Sequence, residues 1–165
     1  MRTAPDAGSA GFSASLQAEH DALGAFISLL QAEQEILVHG DAERLAELAP
    51  DKARQLDVLT RLGEQRRRFL DERRLAANGR GMEQWLAKQP EPGASALRAT
   101  WQELLRRAQN AQNLNQSNGI LIENRLQQNR MKIAVLQAAV AGGDKVYRPD
   151  GQVGSLRSGR MLGAI

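Results

Sequence analysis

Apolar side chains recur along residues 16–37 at alternating intervals of four and three positions. The row consists of Leu16, His20, Leu23, Ile27, Leu30, Gln34 and Leu37. This spacing places all seven positions on one face of an α-helix. Ser13 or Ser15 can cap its start, and His39-Gly40 supplies a stop. The pattern predicts a first helix over residues 14–39, preceded by a flexible N-terminal segment over residues 1–12.

A second helix is predicted over residues 42–76, where leucines return at helical spacing. Asp41 is a suitable N-cap, and Glu43 lies in the first turn, where the helix dipole favours an acidic side chain. Pro50 lacks a backbone N–H and interrupts the pattern. We therefore expect helix 2 to be kinked at this point, or to restart at Asp51.

The longest element is predicted over residues 94–141, after a break at residues 78–81 and a short helix over 82–88. Its row keeps the same alternation of fours and threes without a slip, which favours one continuous rod. The positions are Trp101, Leu105, Ala108, Gln112, Asn115, Gly119, Ile122, Leu126, Asn129, Ile133, Leu136 and Val140. Gly142-Gly143 ends it, and we expect residues 142–165 to form a flexible tail.

These elements predict an all-α fold: an elongated antiparallel three-helix bundle or hairpin with one long C-terminal helix and a short connecting helix. Residues 13–141 would form a single helical domain. The scarcity of aromatic residues, 4% of the chain, favours a narrow apolar seam over a broad core.

The middle of the long row is polar or small, with Gln112, Asn115 and Gly119 in it and Asn118 beside it. Two interpretations remain open. Buried amides would fix the register of the bundle, whereas an exposed section would be a softer, exchangeable surface. A second ridge widens the apolar face and consists of Leu104, Ala111, Leu114, Leu121, Val135 and Ala139. If helices 1 and 2 cover only part of the rod, the remainder could hold an amphipathic helix from a partner protein.

Composition gives little support to catalysis or nucleic-acid binding. The chain has no cysteine and two histidines, of which His20 lies on an apolar row and is expected to be a packed, hydrogen-bonded side chain. The net charge is only +3, and of the seven arginines in residues 61–80, Arg66, Arg67 and Arg68 point around the helix. We expect no enzyme activity, no metal or other cofactor, and no nucleic-acid partner. No run reaches the roughly 20 apolar residues that a membrane helix needs, and no secretory signal is apparent, so the expected location is cytoplasmic.

The segment after the long helix contains the single tyrosine of the chain, Tyr147, followed by Pro149-Asp150-Gly151. Pro-Asp-Gly is typical of a turn. An isolated aromatic side chain in a polar tail is also a common anchor for short-motif binding. The residues alone do not decide between the two.

Three landmarks together resemble the FlgN family of flagellar type III export chaperones. They are Gly40-Asp41 followed by Leu45, Leu48 and Lys52; the Asn-containing centre of the long helix, residues 115–121; and Tyr147 followed by Asp150-Gly151. The resemblance extends over residues 16–152 and includes the order and lengths of the helices.

The resemblance implies a non-enzymatic, cytoplasmic chaperone for hook–filament junction proteins, hook-associated proteins 1 and 3. Such a chaperone binds the C-terminal helical segments of its client, prevents premature assembly, and delivers the client to the type III export gate. The expected client-binding residues are Leu114, Leu121, Ile122, Leu126, Ile133, Leu136 and Val140. Tyr147, with Asp150 and Gly151, would dock on the export-gate membrane protein.

The main alternative is a structural coiled-coil or dimerisation module without a transported client, in which a symmetric dimer would bury the same row. A helical protein that binds RNA or DNA through residues 61–80 is a second alternative. The sequence does not decide which junction protein is the client or whether the tail folds on binding.

Overall fold

The computed structural model describes residues 7–91 and 93–143. It contains four helices: α1 (Ala7–His39), α2 (Ala42–Glu72), α3 (Gly79–Leu86) and α4 (Gly93–Gly143). The prediction of an all-α fold with a long C-terminal helix and a short connecting helix is confirmed. The chain divides into two compact units, Met1–Ile122 and Glu123–Ile165, which are described separately below. None of the helices in the described residues has an apolar stretch of the length required to span a membrane.

Helix α1 begins at Ala7, within the segment that we expected to be flexible. The physical reason is Phe12, which is buried and stacks on Phe69 of α2 with ring centroids 3.6 Å apart. Trp85 of α3 meets both rings edge-on, at centroid distances of 4.8 and 5.2 Å. Edge-to-face and offset aromatic pairs stabilise a fold beyond the area that they bury, so this aromatic cluster ties the first turns of α1 to the bundle.

The boundary between α1 and α2 follows the sequence prediction. Gly40 adopts a φ of 77°, and its N–H donates to the carbonyl of Ile36 at 2.9 Å. The Asp41 side chain then caps α2 by accepting from the N–H of Arg44 at 3.1 Å. Glycine reaches a positive φ without a steric cost, which is why it ends helices so often.

Helix α2 is continuous through Pro50, so of the two alternatives predicted there the restart at Asp51 does not occur. It differs from the prediction at its end, Glu72, four residues before residue 76. Arg74 adopts a φ of 57°, and the N–H of Leu75 donates to the carbonyl of Leu70 at 3.0 Å. This is the hydrogen-bond pattern of a Schellman motif, formed here without the usual glycine. The sequence therefore gave no sign of this end.

The long helices of the first unit alternate in direction. Ser15 of α1 lies beside Gln65 of α2, and Glu33 lies beside Lys52, so α1 and α2 are antiparallel. Helix α4 runs parallel to α1, because Arg107 donates to the carbonyl of His20 at 3.2 Å whereas Asn118 reaches Leu30.

Arg107 approaches α1 closely over Gly24, where an added Cβ would lie 2.5 Å from its Nη1 atom. Glu103 holds this guanidinium and that of Arg106, and the two arginines lower the pKa of Glu103 to about 2. A larger residue at position 24 would therefore require the end of the flexible Arg107 side chain to move.

The core of the first unit lies between α1, α2, α3 and the N-terminal part of α4. It contains Phe12, Leu16, Leu23, Phe26, Leu30, Leu70, Met82, Trp85, Leu86, Trp101, Leu104 and Ala111. The short helix α3 contributes three of these side chains. It therefore forms part of the core at one end of the bundle, in addition to connecting α2 with α4. Burial of large apolar side chains is the main source of stability for such a fold.

Candidate partner-binding surface

Between residues 104 and 121, α4 buries the second ridge: Leu104 and Ala111 are buried, whereas Gln112, Asn115 and Gly119 of the first row are exposed. Trp101, at the start of that row, is also buried in the core. Positions i and i+1 on a helix are about 100° apart, so the buried face in this interval lies about 100° from the row. The reason is apolar content: between residues 104 and 121 the second ridge carries more large apolar side chains, and this count could have identified it.

One amide is buried, and it belongs to a polar cluster of Glu33, Lys52 and Asn118. Asn118 is 1% exposed, and its Nδ2 donates to Glu33 Oε2 and to the carbonyl of Leu30, both at 2.8 Å. Lys52 Nζ donates to the two carboxylate oxygens of Glu33 at 2.9 and 2.7 Å. The cluster joins α4, α1 and α2 at one point.

The polar cluster favours one register of α4 against α1, a choice that the apolar row alone cannot make. A shift of α4 by seven residues in one direction would put Ala111 opposite Glu33 and leave Lys52 as the donor to the carboxylate. A shift in the other direction would put Arg125 there and move Asn118 into the apolar site of Ala111. A buried polar group that loses a hydrogen-bond partner is costly. The interpretation of an amide that fixes register therefore applies to Asn118, whereas Gln112 and Asn115 form a surface.

The expected client-binding residues of the first unit are partly covered by the bundle. Leu114 packs against the core, and Leu121 and Ile122 are half-buried. A partner could contact their remaining surface, but a substitution at any of them would also disturb the fold.

In the second unit, residues 126–141 of α4 are all exposed. Their large apolar side chains range from 52% exposed at Leu126 to 78% at Val140. The complete set is Leu126, Met131, Ile133, Val135, Leu136 and Val140. The four expected client-binding residues of this unit are spaced by seven, three and four positions and so share one face, which we call the α4 apolar face: Leu126, Ile133, Leu136 and Val140.

Met131 and Val135 lie on another side of the same helix and line a shallow apolar cleft with Gln128, Lys132 and Leu136, so the cleft borders the α4 apolar face. A helix that is apolar on more than one side is normally enclosed by other chain segments. Clustered exposed apolar side chains of this kind mark interaction sites. This part of α4 therefore has the character of an element that is covered in a complex.

The sequence interpretation did not identify a second candidate surface, which involves the leucines of early α2. Leu45 and Leu48 are only half-buried, and Leu56 is 52% exposed. With Ala49 and Ala53 they form an apolar groove, the α2 groove, with Glu33 and Lys52 at its side. The available signal was the run of small and apolar residues on one side of α2, because charged residues there occupy the opposite side.

The other singled-out residues have partners within the fold. His20 is half-buried, and its Nδ1 lies 2.9 Å from Asp21 rather than in the core. Within residues 61–80, arginines pair with carboxylates on the same or a neighbouring helix. These pairs are Arg61 with Asp57, Arg66 with Glu19, Arg68 with Glu64 and Arg73 with Glu72. Tyr147, Asp150 and Gly151 lie outside the described residues.

Comparison with protein families identifies one match, to the model of the FlgN protein family, over residues 9–155. Searches of curated proteins and of solved structures found no significant match. The matched region includes α1 to α4 and extends beyond them to Tyr147, Asp150 and Gly151. Because the match covers most of the chain, the protein belongs to the FlgN family, whose members are flagellar export chaperones.

Proposed function

We propose that the protein binds the C-terminal helical segments of hook–filament junction proteins, hook-associated proteins 1 and 3, in the cytoplasm. It keeps these clients from assembling early and delivers them to the membrane protein of the type III export gate. Binding needs no nucleotide, metal or other cofactor from the chaperone, and the protein is not an enzyme. Family membership supports the general role, and the surface of α4 supports the manner of binding.

The observation that carries the proposal is the exposure of the α4 apolar face, from Leu126 to Val140. A client that assembles through helices must expose apolar rows of its own before assembly. Covering both rows in one complex removes apolar surface from water on each partner. Binding of the unassembled client then favours its unassembled state by mass action.

Delivery also sets an upper limit on affinity, because the client must be released for export. A dissociation constant between about 1 μM and 1 nM corresponds to roughly −8 to −12 kcal/mol. The α4 apolar face offers apolar contacts without buried ion pairs. Such a surface suits a complex that forms and dissociates repeatedly.

The proposal is tested by the double variant Ile133→Asp/Leu136→Asp and a client peptide that carries the C-terminal helical segment of hook-associated protein 1 or 3. We expect affinity to fall at least about tenfold, measured by calorimetry, because two carboxylates would be buried against apolar side chains. Both positions are exposed in the free chain, so circular dichroism and thermal unfolding should stay unchanged.

The matched control is Gln127→Asp/Ala134→Asp, at exposed positions on the polar strip between the two apolar sides of α4. It adds the same charge and should retain wild-type affinity. Wild-type binding by the folded test variant would contradict the proposal. A concentration-dependent dimer that binds neither peptide, seen by sedimentation, would instead support the structural dimerisation module.

A separate prediction concerns Tyr147, for which family resemblance supports a docking role together with Asp150 and Gly151. We expect Tyr147→Ala to retain client affinity but to reduce the amount of junction protein exported by cells, because the aromatic anchor on the export gate is lost. Tyr147→Phe keeps the ring and should preserve most export. Normal export by the alanine variant would remove the docking role.

A further inference from the structure

The α2 groove is an apolar surface that neither the bundle core nor the α4 apolar face accounts for. The groove extends along α2 from Leu45 to Leu56. Ala49 and Ala53, both exposed, form its floor. Eleven residues of helix correspond to about 16 Å, or three turns. This length matches one apolar ridge of a helix that presents side chains at positions i, i+4, i+7 and i+11.

The surroundings of the groove carry almost no free charge. Lys52 and Glu33, its two charged side chains, are bonded to one another at 2.7 Å. Lys52 Nζ also lies 3.3 Å from Asn115 Oδ1, which places the exposed face of α4 next to the groove. Gln112 and Gly119 are one turn before and after Asn115 on that same face and are also exposed.

The neutral character of this wall is unusual for an exposed helix surface. Helix α4 has no charged residue between Arg107 and Glu123. The exposed polar side chains on the face beside the groove, Gln112 and Asn115, are carboxamides. Carboxamides both donate and accept hydrogen bonds, so they can pair with uncharged polar groups of a partner. A partner with charged flanks would lose hydration here without gaining ion pairs.

We propose that the α2 groove is a second contact surface for the client, and that it receives one amphipathic client helix with an apolar ridge and uncharged Asn, Gln, Ser or Thr flanks. This inference rests on the proposed function. We assign the groove to the same partner because of its position. Ile122, an expected client-binding residue, lies three residues after Gly119 and seven after Asn115 on the same face of α4. A client helix in the groove would therefore lie next to the first client contacts on α4.

The test is the double variant Ala49→Glu/Ala53→Glu, which places two carboxylates in the groove while retaining good helix formers at exposed positions. With the C-terminal client peptides as probes, we expect affinity to fall at least about tenfold at unchanged thermal stability. The control Val58→Glu lies about 200° around α2 from Leu56 and should change affinity less than about twofold. Raising NaCl from about 50 to about 500 mM should also leave wild-type affinity within about twofold, because no ion pair forms in the groove.

Wild-type affinity in the folded groove variant would overturn this inference. If Ile133→Asp/Leu136→Asp lost binding in the same experiment, the proposed function would stand without the groove. Affinity that decreases steeply with salt would overturn the uncharged-flank chemistry. The groove variant could instead bind the peptides normally but no longer self-associate in sedimentation. That result would show that the groove binds a second copy of this chain, and it would overturn the client assignment. If the wild-type protein bound neither peptide, both the inference and the proposed function would fail.

Discussion

Replacing Gly81 with alanine is expected to destabilise the protein by about 3 kcal/mol or more. A Cβ at this position would overlap the carbonyl oxygen of Ala76 and come within 2.8 Å of the Ala76 carbonyl carbon. The connecting segment cannot move away freely, because the Asn78 side chain caps α3 by accepting from the Gly81 N–H at 3.2 Å. A shift of α3 would also displace Met82 and Trp85 from the core.

Urea unfolding followed by circular dichroism measures this effect, and Gly119→Ala is the matched control. Gly119 is exposed within α4, and a Cβ there would meet no atom within 4 Å. Alanine should stabilise this helix by about 0.5–1 kcal/mol, because glycine loses more backbone entropy on folding. If Gly→Ala lowers the free energy of unfolding at position 81 and raises it at position 119, the loss at position 81 comes from the contact with Ala76. Equal free energies of unfolding for the two variants would show that the close approach of Ala76 to Gly81 does not constrain the fold.

The second large effect is expected at the polar cluster. Lys52→Met removes the ammonium group that is bonded to both oxygens of Glu33, whose side chain is 9% exposed. We expect a loss of about 2–3 kcal/mol in the free energy of unfolding, because the carboxylate would remain buried without a cation. The Lys52 side chain is 25% exposed, so residual hydration keeps the loss below that of a fully buried pair.

Adding Glu33→Gln to Lys52→Met should restore about half of the loss or more, since a neutral amide can still accept from Asn118 and needs no cation. The control is Arg61→Met, which breaks the exposed pair of Arg61 with Asp57 and should cost less than about 0.5 kcal/mol. Additive effects in the double variant would mean that Glu33 and Lys52 do not interact energetically. In that case the cluster would contribute little to the register of α4.

Local sequence features were sufficient for the helix boundaries that depend on capping. Gly40 ends α1 and Asp41 caps α2 because the required backbone conformation and side-chain acceptor are properties of single residues. The unbroken α4 was predictable from periodicity for the same reason, since a row of constant spacing is itself a helical property. The beginning of α1 was not, because Phe12 is held by Phe69 and Trp85, which are distant in the sequence.

The candidate surfaces were likewise predictable from the sequence only in part. The apolar positions of α4 from Leu126 to Val140 are visible in the sequence, but their exposure is not, because exposure depends on which segments lie against them. The same holds for early α2. Leu45 and Leu56 have the spacing of core residues, but in the fold they line an open groove.

By itself, the sequence determined that this chain is helical, where α1 ends and α2 begins, and which residues are apolar; it placed the short helix at 82–88, whereas α3 is Gly79–Leu86. The larger number of leucines in the second ridge favours its burial, but only the tertiary structure decided which amide of α4 is buried with it. Burial of Asn118 against Glu33 and Lys52 selected one arrangement, and it left Gln112 and Asn115 on the surface. The cost of an unpartnered buried carboxylate is a property of three helices together, and no local pattern contains it.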